Sequence, residues 1–288
     1  MPGQGPSWDI VGDVQLLLQF HFMQNAFLAG TLVALLAGAA GYFVVVRGQS
    51  FAAHMLSQVG FPGATAAVLL HASPVAGLIA FCVAAALGIS AFGRGVDAGH
   101  RAESAAIGSI LAFSLGLGYL FFRLYEGSAQ GIYAFLFGTI LGITDRDVLL
   151  TLGVAIAGLA VLAWIGRPLL FASVDPDVAE ARGVPVRELS IAFLLVLALS
   201  VAITVQIVGT LLIFALLVTP AASAVQLTAR PGRGLAVSAG LSLMFTWLGL
   251  SLAYFTDVPV GFFITTLAFA TYVAIRLVTA RGAVRART

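Results

Sequence analysis

The chain has 288 residues, 60% of them hydrophobic and only 9% charged, with a formal net charge of +2 at pH 7. That composition excludes a soluble globule and describes a polytopic membrane protein, in which so small a positive balance reports topology and not nucleic-acid binding. All 14 basic residues are arginine; without a lysine to reach the phosphates no conventional P-loop can be built, so the chain is not its own ATPase.

Residues 1–23 carry Asp9 and Asp13 but no basic residue, unlike the charged start of a cleavable signal peptide, and read as an extracytoplasmic lead-in. From there to residue 278 the sequence is a single membrane domain. Nine apolar runs have about the 20 residues needed to cross a bilayer: 24–46, 51–71, 74–93, 103–122, 148–166, 189–205, 207–228, 235–255 and 259–278. Backbone groups in hydrocarbon must be satisfied internally, so an all-α bundle of about nine transmembrane helices is expected, and the runs lack the ten-residue alternation of barrel strands.

With nine spans, all arginines except Arg123 and Arg146 fall on one side. By the positive-inside rule that side is cytoplasmic, which puts the N-terminus outside and the tail, 279–288, inside. The expected location is the cell membrane.

The second run contains His54 and Gln58, four positions apart and therefore on one helix face, with Phe51 and Phe61 flanking them. Polar side chains in hydrocarbon are costly and face a cavity, a partner or a substrate path; here the choices are a path residue or a histidine bonded to a neighbouring helix. Pro62 has no N–H, so the carbonyl of Gln58 loses its helical partner, and Pro220 does the same to Leu216 in the seventh run. Either proline reads as a helix kink made for packing or as a device that frees a backbone oxygen. Cys82, the one cysteine, excludes an intrachain disulfide and reads as a small buried apolar residue. Ala37 and Gly41 let backbones approach. His71 and His100 read as solvated. No G-x-S-x-G elbow is present, and the four histidines do not suggest a hydrolase.

The longest polar interruption, 167–188, separates the fifth and sixth runs and is cytoplasmic by the arginine count. Within it Asp175 can cap a short helix that starts at Pro176. Asp177 and Glu180 suit its positive end, Ala181 lies in its last turn, and Gly183 followed by Pro185 ends it. A compact, capped helix between two spans suits docking to a cytoplasmic partner; a solvated connector is the other reading.

Four stretches then resemble, in order, the ABC-3 family, the permeases of zinc, manganese and iron ABC importers. They are GYFVVVRGQSF with FPG (Gly41 to Gly63), LFGTILGIT (Leu136 to Thr144), DPDVAEARGVPV (Asp175 to Val186) continuing into VQIVGTLLIFALLVTPAASA (Val205 to Ala224), and LAYFTDVPVG (Leu252 to Gly261). The resemblance implies an importer permease of the metal/vitamin B12 type that pairs with a second permease copy or a paralogue. It also implies a cytoplasmic ABC ATPase subunit that binds the ATP, and an extracytoplasmic metal-binding protein that delivers the ion. No cofactor is bound permanently; the divalent metal is the cargo. Asp175 to Gly183 is then the ATPase coupling helix.

The chain departs from that family where the ion would pass. The family pattern has an aspartate at the place of His54 and a histidine at the place of Gln58. Imidazole suits zinc, copper, nickel or iron, whereas manganese prefers oxygen ligands. With no acidic residue near the middle of a run, the expectation tilts towards zinc, with His54 and Gln58 as the metal-contacting pair. A same-fold permease for a metal chelate or other small cargo is the alternative. A proton-coupled secondary transporter or exporter is disfavoured by the shortage of buried acids.

Overall fold

The computed structural model describes residues 19–92, 99–125, 138, 142–210, 212–256 and 258–285, and the side chains of these except 92, 99–103 and 281–285. Asp9, Asp13, Arg94, Asp97, Asp257, most of Leu136–Thr144 and the side chain of His100 lie outside that set. The described residues form helices: α1 (His21–Val46), α2 (Ser50–Leu69), α3 (Pro74–Phe92), α4 (Gly99–Leu124), α5 (Asp145–Val174), α6 (Pro176–Ala181), α7 (Val186–Val208), α8 (Ile213–Leu217), α9 (Thr219–Leu227), α10 (Pro231–Phe255) and α11 (Val260–Arg285). Among the described residues seven helices, namely α1, α3, α4, α5, α7, α10 and α11, are long and apolar enough to cross a membrane. The chain is a multi-pass membrane protein of the all-α bundle class.

Two departures from the expected spans have local causes. The seventh span is not one helix. Gly209 adopts φ +91 and ψ 160, which ends α7 because only glycine visits that region readily. The chain then resumes as α8 and, from Thr219, as α9 with Pro220 in its first turn. The fifth span runs on through Arg167 and Pro168 to Val174, since Leu169 and Ala172 beyond the arginine are buried. The polar interruption therefore begins in structure at Asp175.

The chain divides into two compact units. The first comprises residues up to Tyr42, 139–155 and 214–288. Here α1 and α10 run antiparallel at close range. A Cβ built on Gly38 would stand 2.6 Å from the Ala239 backbone, and one on Gly30 2.9 Å from the Thr246 side chain. The Ser238 hydroxyl donates to the Gly38 carbonyl at 2.7 Å, and the Trp247 indole donates to the Thr31 hydroxyl at 2.9 Å. Gly41 meets the backbone of Leu217 so closely that no side chain fits. Helices α9, α10 and α11 pack on one another. Such small-residue contacts are how helices associate where lipid is as apolar as the side chains.

The second unit comprises 43–138 and 156–213, with α2 as its centre. Helix α2 packs against α3, α4 and α7 and buries thirteen of its residues. Gly63 and Gly77 lie back to back: a Cβ on Gly63 would stand 2.4 Å from the Gly77 carbonyl oxygen. The thiol of Cys82, fully buried, points at the Leu56 carbonyl at 3.5 Å.

Candidate functional site

Helix α2 has one uncovered face. Between residues 51 and 61 the only side chains not buried are Phe51, His54, Gln58 and Phe61. Their spacing of three, four and three makes a single stripe along an α-helix, and Phe51 is 47% exposed. The structure thus brings the sequence-nominated pair onto one face with a phenylalanine at each end, on a helix that packs against α3, α4 and α7. The stripe has a fixed backbone. The Ser57 hydroxyl donates to the His54 carbonyl at 2.6 Å, and Pro62 sits buried inside the helix. Gly118 of α4 lies against that proline: a Cβ there would meet Phe61 and Pro62 at 3.2 Å. Only a glycine at 118 lets α4 come this close to the proline.

Chemically, the face offers an imidazole and an amide. Among the described residues no group of three or more His, Cys, Asp or Glu side chains is placed to hold a metal ion.

Pro220 lies in another environment. The carbonyl of Leu216, four residues before it, accepts a hydrogen bond from the buried hydroxyl of Ser242 on α10 at 2.9 Å. His71 stands where a glycine is usual. Its φ of +54 closes α2 with bonds from His71 N to Val68 O at 3.1 Å and from Ala72 N to Ala67 O at 2.8 Å, the Schellman pattern.

Helix α6 is built from its caps. Asp175 is extended and its carboxylate accepts the Val178 N–H at 3.0 Å; Pro176 occupies the first turn and Asp177 follows it. The far end closes by the same Schellman pattern, with Gly183 N to Glu180 O at 2.9 Å and Val184 N to Ala179 O at 3.0 Å, and Gly183 at φ +79. Ala179 is fully buried while Asp175, Asp177, Glu180, Ala181 and Gly183 are all exposed. Helix α6 is thus capped at both ends and exposed except at Ala179.

Two arrangements escaped the sequence reading. Asp145, the first residue of α5, accepts from the Asn25 amide at 2.7 Å and pairs with His21 at 2.8 Å, which ties the starts of α1 and α5 together. Beside it Thr144 and Asp147 cap α5 reciprocally: the Thr144 N–H donates to the Asp147 carboxylate at 3.1 Å, and the Asp147 N–H donates to the Thr144 hydroxyl oxygen at 3.3 Å. The T-x-x-D spacing could have disclosed the cap. The other arrangement is the setting of Arg47, which donates to Ser173 and Ser190.

Comparison with known proteins agrees with this architecture. The sequence pattern of the ABC 3 transport family matches residues 19–279. The manganese import system permease protein ScaB of Streptococcus parasanguinis is 32% identical over 246 residues, covering 85% of this chain and 86% of its own length. The manganese transport system membrane protein MntC of Halalkalibacterium halodurans is 29% identical over 252 residues, with coverages of 88% and 85%. Among solved structures, a chain of PsaBC from Streptococcus pneumoniae in complex with Fab superposes with a TM-score of 0.81 at 30% identity, over 92% of this chain and 95% of that one. An inward-facing structure described as a metal-chelate type ABC transporter shares the fold, with a TM-score of 0.75 at 16% identity and coverages of 94% and 91%.

Proposed function

Because the chain belongs to the ABC 3 transport family, we propose that it is the membrane-spanning permease subunit of an ATP-driven importer of a divalent transition metal ion. The observation that supports the reading is the α2 stripe, on which His54 and Gln58 share one partly exposed helix face with Phe51 and Phe61. The ion passes along that face as cargo. A second permease copy, or a paralogue, faces the stripe across the path and contributes the ligands that one chain lacks. Helix α6 engages a separate cytoplasmic ABC ATPase, where ATP is hydrolysed, and an extracytoplasmic binding protein delivers the metal. The N-terminus lies outside and the C-terminus in the cytoplasm, the orientation that the arginine distribution favours.

Manganese is the first candidate cargo, because the relatives whose names carry a metal are named for manganese. The expectation of zinc finds no support in those names and rests only on ligand chemistry, since an imidazole and an amide without a carboxylate suit zinc better than manganese. A chelated metal is the further alternative, favoured by the same lack of charge.

The test is uptake by the purified permease–ATPase complex in liposomes, with radioactive manganese supplied through its binding protein and zinc, iron or a metal chelate added as competitors. Manganese uptake that requires ATP supports the first reading, and displacement of manganese by a tenfold smaller concentration of zinc favours the second. ATP turnover with no movement of any metal would sink the proposal.

A further inference from the structure

Arg47 follows the last residue of α1, and its guanidinium donates to three side chains. One terminal nitrogen, Nη2, donates to the Ser190 hydroxyl oxygen at 2.8 Å; the other, Nη1, donates to that of Ser173 at 3.2 Å; Nε donates to the Gln49 amide oxygen at 3.3 Å. The guanidinium carbon lies 5.5 Å from the centre of the Phe193 ring. Each serine spends its own hydrogen within its helix, Ser173 on the Leu169 carbonyl at 2.5 Å and Ser190 on the Val186 carbonyl at 2.8 Å. Each hydroxyl oxygen still has its lone pairs to offer, and Arg47 donates to one on each serine.

The two serines mark the roots of α6. Ser173 precedes the Asp175 cap by two residues at the end of α5, and Ser190 lies in the first turns of α7. Arg47 also sits at the C-terminal, negative ends of α1 and α5, where a cation is favoured. An arginine that only anchors a helix end at the lipid headgroups extends its guanidinium towards water; this one is half-buried and turned onto two other helices. Three residues later the chain enters α2 at Ser50, one turn before His54. Gly48, at φ +68, and the bonds from Gly48 N to Val45 O and from Gln49 N to Val44 O make that short connection a closed turn rather than a slack one.

We propose that Arg47 is the positioning residue that joins α6 to α2: displacement of α6 reaches the stripe of His54 and Gln58 through Ser173, Ser190 and the turn at Gly48. The proposal rests on α6 being the ATPase coupling element. A lysine cannot replace this arginine, because its single ammonium lacks the planar fork that reaches two acceptors on different helices.

The experiment uses the permease–ATPase complex in liposomes and reads manganese uptake and ATP hydrolysis on the same samples. Arg47→Lys and the double variant Ser173→Ala/Ser190→Ala are each expected to lower the manganese moved per ATP at least fivefold while hydrolysis stays within twofold of wild type and the ATPase still co-purifies. An unchanged ratio in both variants would overturn the role of Arg47, as would loss of the ATPase from both complexes. A parallel Gly183→Val variant separates the role of Arg47 from that of α6. If it changes the ratio and the Arg47 variants do not, the joint at Arg47 fails alone; if it too leaves the ratio intact, the coupling role of α6 fails first.

Discussion

The Ser242 hydroxyl on α10 donates at 2.9 Å to the carbonyl of Leu216, the oxygen that Pro220 cannot bond. Pro220, in the first turn of α9, has no N–H to offer that carbonyl at the end of α8, and a buried serine on the next helix is one of the few ways to satisfy an acceptor that water cannot reach. Ser242→Ala should therefore lower stability by about 1 kcal/mol, within the range found for hydrogen bonds between membrane helices. The same serine change made beside Pro220→Ala should cost less, because an alanine at that position brings an N–H of its own. Thermal unfolding in detergent, followed by a thiol dye at the buried Cys82, would measure both; additive costs would show that proline and serine are not coupled.

Gly63 and Gly77 set the closest approach of α2 to α3. A Cβ on Gly63 would lie 2.4 Å from a backbone oxygen, which cannot swing away as a side chain can. Gly63→Ala should destabilise by about 1–3 kcal/mol and reduce folded yield. Gly108→Ala, at a helical glycine with nothing within 4 Å of the added carbon, should be neutral in the same unfolding measurement.

His54 shares its face with Gln58 and sits in the helix that organises its unit. His54→Ala should cut manganese uptake at least tenfold while folded yield and ATPase co-purification stay near wild type, since the imidazole is only half-buried. Unchanged uptake would remove the residue from the path. If zinc is the preferred cargo, His54→Asp should shift the ratio of manganese to zinc uptake towards manganese by supplying an oxygen ligand.

Gly183 ends α6 at φ +79 with open space around it. Its need is conformational and not steric, so Gly183→Asn, which tolerates the left-handed region, should keep most of the coupling ratio. Gly183→Val should lose it several-fold. Equal behaviour of the two variants, read as manganese moved per ATP, would show that the shape of the α6 cap is irrelevant to transport.

Much of this was legible along the chain. The caps of α6 were readable because Asp175, Pro176 and Gly183 act within a few residues of themselves, through one carboxylate, one missing N–H and one positive φ. The stripe on α2 was readable because helical periodicity alone puts 51, 54, 58 and 61 on one face. The seventh apolar run reads as one continuous helix because hydrophobicity reports burial and says little about backbone angles; Gly209 at φ +91 is decided by its surroundings. The end of α5 was placed early because Arg167 and Pro168 look like a boundary, whereas buried Leu169 and Ala172 carry the helix past them.

By itself, the sequence determined that this is a membrane bundle, where its arginines lie, that it has no ATPase motif, and which face carries histidine beside glutamine. These follow from composition and from spacings within a turn or two. Only the tertiary structure decided that Ser242 serves Leu216, that Gly118 backs Pro62, and that Arg47 spans Ser173 and Ser190. Each joins residues from 26 to 143 positions apart, and hydrogen-bond acceptors at that separation are chosen by how helices pack, which no local pattern encodes.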